Sequence, residues 1–376
     1  MRRNLVNSLY VHVPFCRKKC PYCDFYSGNF FELKDDYKKA VFKELSIRAP
    51  EFSQFPTVYF GGGTPSLMET LFFEVILSKL GQFSEVTVEV NPEDAKGEFL
   101  SFLLSVGVNR VSLGVQSFSD KFLKFLGRRQ NREDNVRALE EALSLFSNVS
   151  ADIIYGIPGQ SIGEFLEDLE FLLKFPVKHV SLYALTIYEG TPFEELLNTG
   201  KFLLPEEERV SQMYCEAIEL LEDRGFKHYE ISNFSIPGFE SKHNLNYWRL
   251  KNYVGLGPSA ASFEDGVYTK NVSDIEEYIG KIKEGVLPIL EREEFRGRDL
   301  KEIRLIMGLR LTEGIDVKEV GIKESLEKAL ISSEVLKGLI DEGYLIYEFP
   351  KLKLGRKGYF TSNAVISLLI KELWEV

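Results

Sequence analysis

An α/β fold built on a parallel sheet, followed by a smaller C-terminal unit, is what the sequence predicts, and three observations carry that prediction. Short apolar runs recur along the first half of the chain with amphipathic helical stretches between them. Strand–helix units in series pair into a parallel sheet. Glycine-rich and polar motifs lie at or just past the ends of those runs, where parallel α/β folds gather their ligands. Beyond residue 290 the order changes to helix, helix and hairpin, which marks a second unit.

The runs are residues 9–13, 57–60, 86–90, 110–115, 151–155 and 179–185, read as six buried strands. The helical stretches are 35–48, 67–80, 98–105, 119–126 with 132–146, and 162–174. Within 132–146, Val136, Leu139, Leu143 and Phe146 fall on one helical face. Ser161 and Glu164 have the spacing of a capping box at the next helix start. Residues 1–235 are expected to form the main domain, 236–290 a connecting segment, and 291–376 the C-terminal domain. A charged stretch at 291–298 marks that last boundary, with helices at 299–311 and 333–341, a hairpin from 343 to 354 and a last helix from about 363.

Composition narrows the function. A chain of 376 residues with 44% hydrophobic content has the make-up of a globular protein with a sizeable core. Its 46 Lys and Arg against 57 Asp and Glu leave −11, which disfavours nonspecific contact with nucleic acid or anionic membrane. No apolar run approaches the roughly 20 residues of a membrane span. The opening residues enter a strand too soon for a signal peptide. Four cysteines, three of them clustered, suit a reducing, cytoplasmic interior.

Those three, Cys16, Cys20 and Cys23, follow the first strand with spacing C-x3-C-x2-C. Three thiolates on a short loop can hold three irons of a 4Fe–4S cluster and leave the fourth open to a small molecule. Pro14 and Pro21 keep the loop from closing into regular structure. Zinc is the alternative, with His12 as fourth ligand. Zinc sites usually use two paired ligand sets, and no second set appears. Cys215, in a helical stretch, reads as an apolar filler.

The string from Tyr10 through Cys16 to Phe25 resembles the signature of radical S-adenosylmethionine (SAM) proteins, in the branch of the HemN-type coproporphyrinogen III dehydrogenases and the HemW-type haem chaperones. The resemblance spans essentially the whole chain. It implies a partial six-stranded (β/α) barrel, a 4Fe–4S cluster, and SAM chelated to the open iron, with Tyr10, Tyr22 and Phe25 around them, while the helix–helix–hairpin order of the C-terminal residues suggests a winged-helix-like domain. It implies SAM contacts from Gly62, Gly63 and Thr64 of the Gly-Gly-Gly-Thr-Pro loop, and from Glu89, Gln116, Arg128, Asp152 and Ala184 near later strand ends. On residues alone, Glu89 could instead pair with an arginine, Gln116 could cap a helix, and Arg129 stands beside Arg128.

The stretch 229–260 shows no clean helix or strand period and is expected to be irregular. It holds His243-Asn-Leu-Asn-Tyr247-Trp248, the family motif associated with tetrapyrrole binding. The resemblance makes His243 a candidate axial ligand of haem iron, with Tyr247 and Trp248 stacking on the macrocycle. The dehydrogenases carry a further cysteine two residues after the third cluster Cys, where this chain has Phe25. They also have a long extension ahead of the motif, whereas here the first Cys is residue 16. Both features favour a haem chaperone over oxidative decarboxylation of coproporphyrinogen III. The partners implied are haem or a porphyrin, a haem-acceptor protein and an electron donor for the cluster.

Overall fold

A computed structural model describes residues 5–374. Six parallel strands form its centre: β1 (Val6–Val13), β2 (Phe52–Gly62), β3 (Glu85–Val90), β4 (Arg110–Gln116), β5 (Val149–Tyr155) and β6 (His179–Ala184). The intervening helices are α1 (Lys34–Arg48), α2 (Thr70–Ser78), α3 (Gly97–Ser105), α4 (Asp120–Phe125) with α5 (Arg132–Leu145), and α6 (Ile162–Leu172). Each strand lies beside its sequence neighbour, in order from β1 to β6. The capping box at α6 is present: Ser161 Oγ accepts from Glu164 N, and the Glu164 carboxylate accepts from Ser161 N.

Every second residue of these strands faces the helices and joins the main core. Leu9, Val11 and Val13 of β1, Val86, Val88 and Val90 of β3, and Val111, Leu113 and Val115 of β4 are all buried there. The residues between them face the other way and are polar: Ser8, Tyr10 and His12; Thr57 and Tyr59; Glu85, Thr87 and Glu89; Arg110 and Ser112; Ser150 and Asp152; His179, Ser181 and Tyr183. That face is concave. Tyr59 on β2 lies within electrostatic reach of Asp152 on β5 and the Tyr183 hydroxyl on β6. A flat sheet at about 4.8 Å per strand would hold those strands about 14–19 Å apart. The six strands therefore curl into a partial barrel with a polar interior.

After β6 come α7 (Pro192–Asn198), α8 (Glu207–Asp223), β7 (Lys227–Glu230), β8 (Asn233–Ser235), α9 (Lys242–Trp248), β9 (Tyr253–Leu256), β10 (Ala261–Glu264), β11 (Val267–Asn271), α10 (Ile275–Lys283) and β12 (Ile289–Glu294). The stretch expected to be irregular is thus regular, and residues 236–290 extend the sheet rather than merely connect. β9 pairs in parallel with β1, while β8 pairs antiparallel with β6. The reason is that β8, α9 and β9 are short and their few apolar residues alternate with polar ones and glycine, so no apolar run stands out. The finished sheet runs β12-β11-β10-β9-β1-β2-β3-β4-β5-β6-β8-β7.

The C-terminal residues build α11 (Gly297–Gly308), β13 (Ile315–Asp316), α12 (Val317–Val320), α13 (Lys323–Ser332), α14 (Glu334–Asp341), β14 (Leu345–Glu348), β15 (Lys351–Leu354), α15 (Arg356–Phe360) and α16 (Ser362–Trp374). They enclose a second core that includes Leu305, Leu326, Leu336, Leu352 and Leu369. This unit meets the barrel through main chain. Ile231 N donates to Arg310 O at 3.0 Å, and Thr312 N donates to Tyr229 O at 3.1 Å. Among the described residues no helix is long and apolar enough to cross a membrane.

Candidate functional site

The cysteine loop leaves the C-terminal end of β1. Its path is fixed by Cys16 N donating to Gly28 O (2.9 Å), Gly28 N to Pro14 O (2.9 Å) and Cys23 N to Cys20 O (3.1 Å). All three thiols are free and half-buried. Burial pushes the Cys23 thiol up to about 11, and the neighbouring Cys20 and Cys16 push the same way. Among the described residues no three His, Cys, Asp or Glu side chains converge as the ligands of one metal ion. His12, the alternative fourth zinc ligand, is buried with both ring nitrogens engaged: Nδ1 with Tyr10 OH at 3.1 Å and Nε2 with Tyr26 O at 2.8 Å. The donor set is three thiols of one loop, which fits a cluster with one open iron.

A ring of polar contacts joins this loop to the ends of β2 and β3 and to Arg128, just past α4. Cys16 Sγ lies 3.4 Å from Thr64 Oγ1, and Asn91 Nδ2 donates to Thr64 Oγ1 at 3.2 Å. Arg128 Nη2 donates to Asn91 Oδ1 at 2.8 Å, and Arg128 Nη1 donates to Cys20 Sγ at 3.6 Å, closing the ring. Gln130 holds the guanidinium from behind, accepting from Nε at 3.1 Å and donating to Gly114 O at 2.9 Å. A narrow cleft opens here, lined by Cys20, Thr64, Asn91, Glu93 and Arg128 among others. Arg128, not its exposed neighbour Arg129, is the member of the ring. Asn91, Glu93 and Gln130 escaped the sequence reading. The only signal for them is position, just past β3 and α4.

Two backbone features shape the ring's floor. Gly62 adopts φ +107, and a Cβ there would sit 2.6 Å from the His12 ring. Only glycine lets the glycine loop lie against that imidazole. Gln116 is a non-glycine residue at φ +66, held at the end of β4 next to Gly114. Such a conformation costs free energy and persists where its surroundings enforce it. Gly63 and Thr64 follow in the same loop, with Gly63 N donating to Val13 O at 2.7 Å.

Deeper on the concave face, Glu89 accepts from Tyr59 OH at 2.8 Å, and burial raises its carboxyl to about 7. Burial also raises Asp152, which accepts from Ser112 Oγ at 3.3 Å. Burial raises the hydroxyls of Tyr10 and Tyr22 as well, and Tyr22 senses Arg128 and the thiols of Cys20 and Cys23. Ala184 ends β6, paired with Tyr155. Phe25 is 60% exposed at the outer rim. Cys215 is exposed on α8, not the buried filler expected, because its helical position falls opposite the Tyr214, Ala217 and Ile218 face.

His243 lies elsewhere. It sits on the seven-residue helix α9, which packs against the N-terminal ends of β1 and β2, the opposite end from the cysteine loop. From Thr57 to Gly62 the strand rises about 16 Å. The His243 ring is 1% exposed, with Nδ1 2.8 Å from Thr57 Oγ1 and Nε2 2.8 Å from Tyr247 OH. Burial, and then the Arg110 charge, lower its pKa to about 3. Neither nitrogen is open to an iron in this arrangement, because each already has a hydroxyl partner. Tyr247 is half-buried and packs edge-on against Tyr253. One face of Trp248 is covered by the Arg310 guanidinium at 4.7 Å. Its buried Nε1 has no hydrogen-bond partner among the described residues.

Residues 10–172 match the model of the Radical SAM superfamily. The chain is 33% identical to the heme chaperone HemW of Bacillus subtilis, over 98% of this chain and 100% of that one. It is 32% identical to the radical S-adenosyl methionine domain-containing protein 1, mitochondrial, of Danio rerio, over 97% and 87%. Among solved structures it superposes on the coproporphyrinogen III oxidase HemN of Escherichia coli with a TM-score of 0.81, covering 98% of this chain and 90% of that one at 22% identity, a likeness of fold.

Proposed function

The chain belongs to the radical SAM superfamily and, within it, to the family of the HemW heme chaperones, and from that premise we propose that it binds haem and hands it to an acceptor protein. The observation that carries the reading is the near full-length likeness to heme chaperones, joined to an exposed Phe25 in place of a fourth cysteine. A 4Fe–4S cluster and SAM are its cofactors, the cluster supplying one-electron chemistry when bound. Cys16, Cys20 and Cys23 would hold it. A reducing, cytoplasmic setting suits four cysteines that are all free. An electron donor for the cluster completes the partner set.

For SAM we assign Arg128 to the carboxylate, because its fork is buried, pre-oriented by Gln130 and Asn91, and turned into the cleft beside Cys20. Thr64 lines the same cleft; Gly62 and Gly63 beside it, with Glu89 and Gln116, are assigned further SAM contacts, and Asp152 and Ala184 the ribose and adenine side. Arg128→Ala is expected to weaken SAM binding by about 1.5–3 kcal/mol, the range for a hydrogen bond to a charged group. Equilibrium binding on reconstituted protein measures this, and unchanged affinity refutes the assignment.

For haem, His243 ligates iron only by exchanging one hydrogen bond for the metal. Tyr247 is the partner to exchange, since Thr57 is buried in the barrel and Tyr247 is half-exposed. Tyr247→Phe should therefore free Nε2 and strengthen haem retention through gel filtration, with a sharper Soret band. His243→Ala should weaken retention, and Trp248→Ala should weaken it less, by about 0.5–1.5 kcal/mol for the lost stacking. The same preparation, given SAM, a reductant and coproporphyrinogen III, should release little carbon dioxide. Rapid decarboxylation without retained haem would reverse the function. Retention indifferent to both His243→Ala and Tyr247→Phe would move the haem site off α9.

A further inference from the structure

We propose that the face around the 16–20 loop docks an acidic one-electron carrier protein, the donor left unnamed above. The inference rests on Cys16, Cys20 and Cys23 being cluster ligands. Between the first two cysteines stand Arg17, Lys18 and Lys19, all exposed. Lys19 is one residue and Lys18 two from Cys20, so at most about 7 Å of backbone separates them from a cluster thiol. Lys124 of α4 shares the wall of a second cleft with Lys18 and Arg128, and Arg129 shares the first cleft with Arg17 and Lys18. Five exposed cations thus gather over one loop.

Their surroundings leave them largely uncompensated. Arg17 pairs with Asp94 at 2.6 Å. Lys18, Lys19, Lys124 and Arg129 make no ion pair among the described residues, whereas Lys121, at the start of α4, reaches Glu164. The acids nearby are Asp24, Asp120 and Glu93. Asp120 is engaged by the backbone N–H of Arg132. In a chain of net charge −11 this face is a local reversal of sign.

Chemistry then selects the partner. A cluster held by this loop must receive electrons singly, and the donor must approach the loop that carries it. Redox encounters bury little area and depend on complementary charge to steer and orient them. A basic face on an acidic protein attracts an acidic partner there, while the negative charge elsewhere on the surface repels that partner. In the transfer the carrier is oxidised by one electron and the cluster reduced by one. No covalent bond forms or breaks.

The probe is an oxidised, strongly acidic 2Fe–2S ferredoxin, titrated calorimetrically into anaerobically reconstituted full-length protein. Lys19→Glu with Lys124→Glu should weaken binding about tenfold at low ionic strength. The parent's advantage should vanish at about 1 M salt, where the screening length is about 3 Å. A control with the same charge change at the exposed, remote Lys227 and Lys328 should bind as the parent does. Iron content, measured separately, should be the same in all three proteins. Equal binding by both charge-reversed proteins overturns the proposal. So does stoichiometric displacement of ferredoxin by haem, which would give the face to haem propionates. Loss of iron from the parent would count against the cluster reading, while the binding comparison would still decide the docking face.

Discussion

Replacing Cys16, Cys20 or Cys23 with alanine, one at a time, abolishes the visible charge-transfer absorption of anaerobically reconstituted protein. The parent binds about four irons per chain, as one 4Fe–4S cluster requires. Each thiol answers for one iron, and among the described residues no other group of His, Cys, Asp or Glu side chains stands ready to replace it. His12, the obvious substitute, is bound at both nitrogens to Tyr10 and to the Tyr26 carbonyl. Cys215→Ala should leave the spectrum intact, since that thiol is exposed on α8, outside the ring around Arg128. Stoichiometric zinc in protein purified without oxygen would sink the idea.

The second large effect is on stability. Glu85→Ala should cost about 3 kcal/mol or more, since each buried donor left unsatisfied costs about 1–3 kcal/mol. The Glu85 carboxylate accepts from Ser241 Oγ at 3.4 Å, Lys242 N at 2.9 Å and His243 N at 2.9 Å, so it caps α9. Its charge is also the largest favourable influence on Arg110, whose fully buried cation desolvation opposes. Removing it strands that cation and three donors together. Glu85→Gln keeps acceptor capacity and should cost less. Urea denaturation measures both, and a Glu85→Ala loss under about 0.5 kcal/mol, typical of a surface site, would refute the role.

The six barrel strands and the helices between them were legible because each strand carries an apolar run long enough to see, bounded by glycine, proline or asparagine. The cysteine loop and glycine loop were legible because their chemistry is local. The polar interior was half-visible. Glu89 and Asp152 stood out as acids in apolar runs, yet the alternation Ser8, Tyr10, His12 and Glu85, Thr87, Glu89 belongs to the same pattern and marks the same face. What sequence spacing could not show is the company each residue keeps at long range. Asn91 meets Arg128 across 37 positions, and His243 meets Thr57 across 186. The second of these pairs places the candidate haem ligand at the far end of the barrel, held there by a hydroxyl.

The open sheet has two edges, and the chain treats them differently. β12 carries Glu291, Arg292, Glu293 and Glu294, exposed along its length. Charge on an edge strand discourages a second molecule from adding a strand to it. β7, at the other edge, has no such run, and its Tyr229 and the following Ile231 are bonded instead to the Arg310–Thr312 backbone of the C-terminal unit. That unit therefore also serves as a guard against self-association. A chain ended before α11 would keep its cysteine loop and its glycine loop, yet expose a bare strand edge ready to template aggregates.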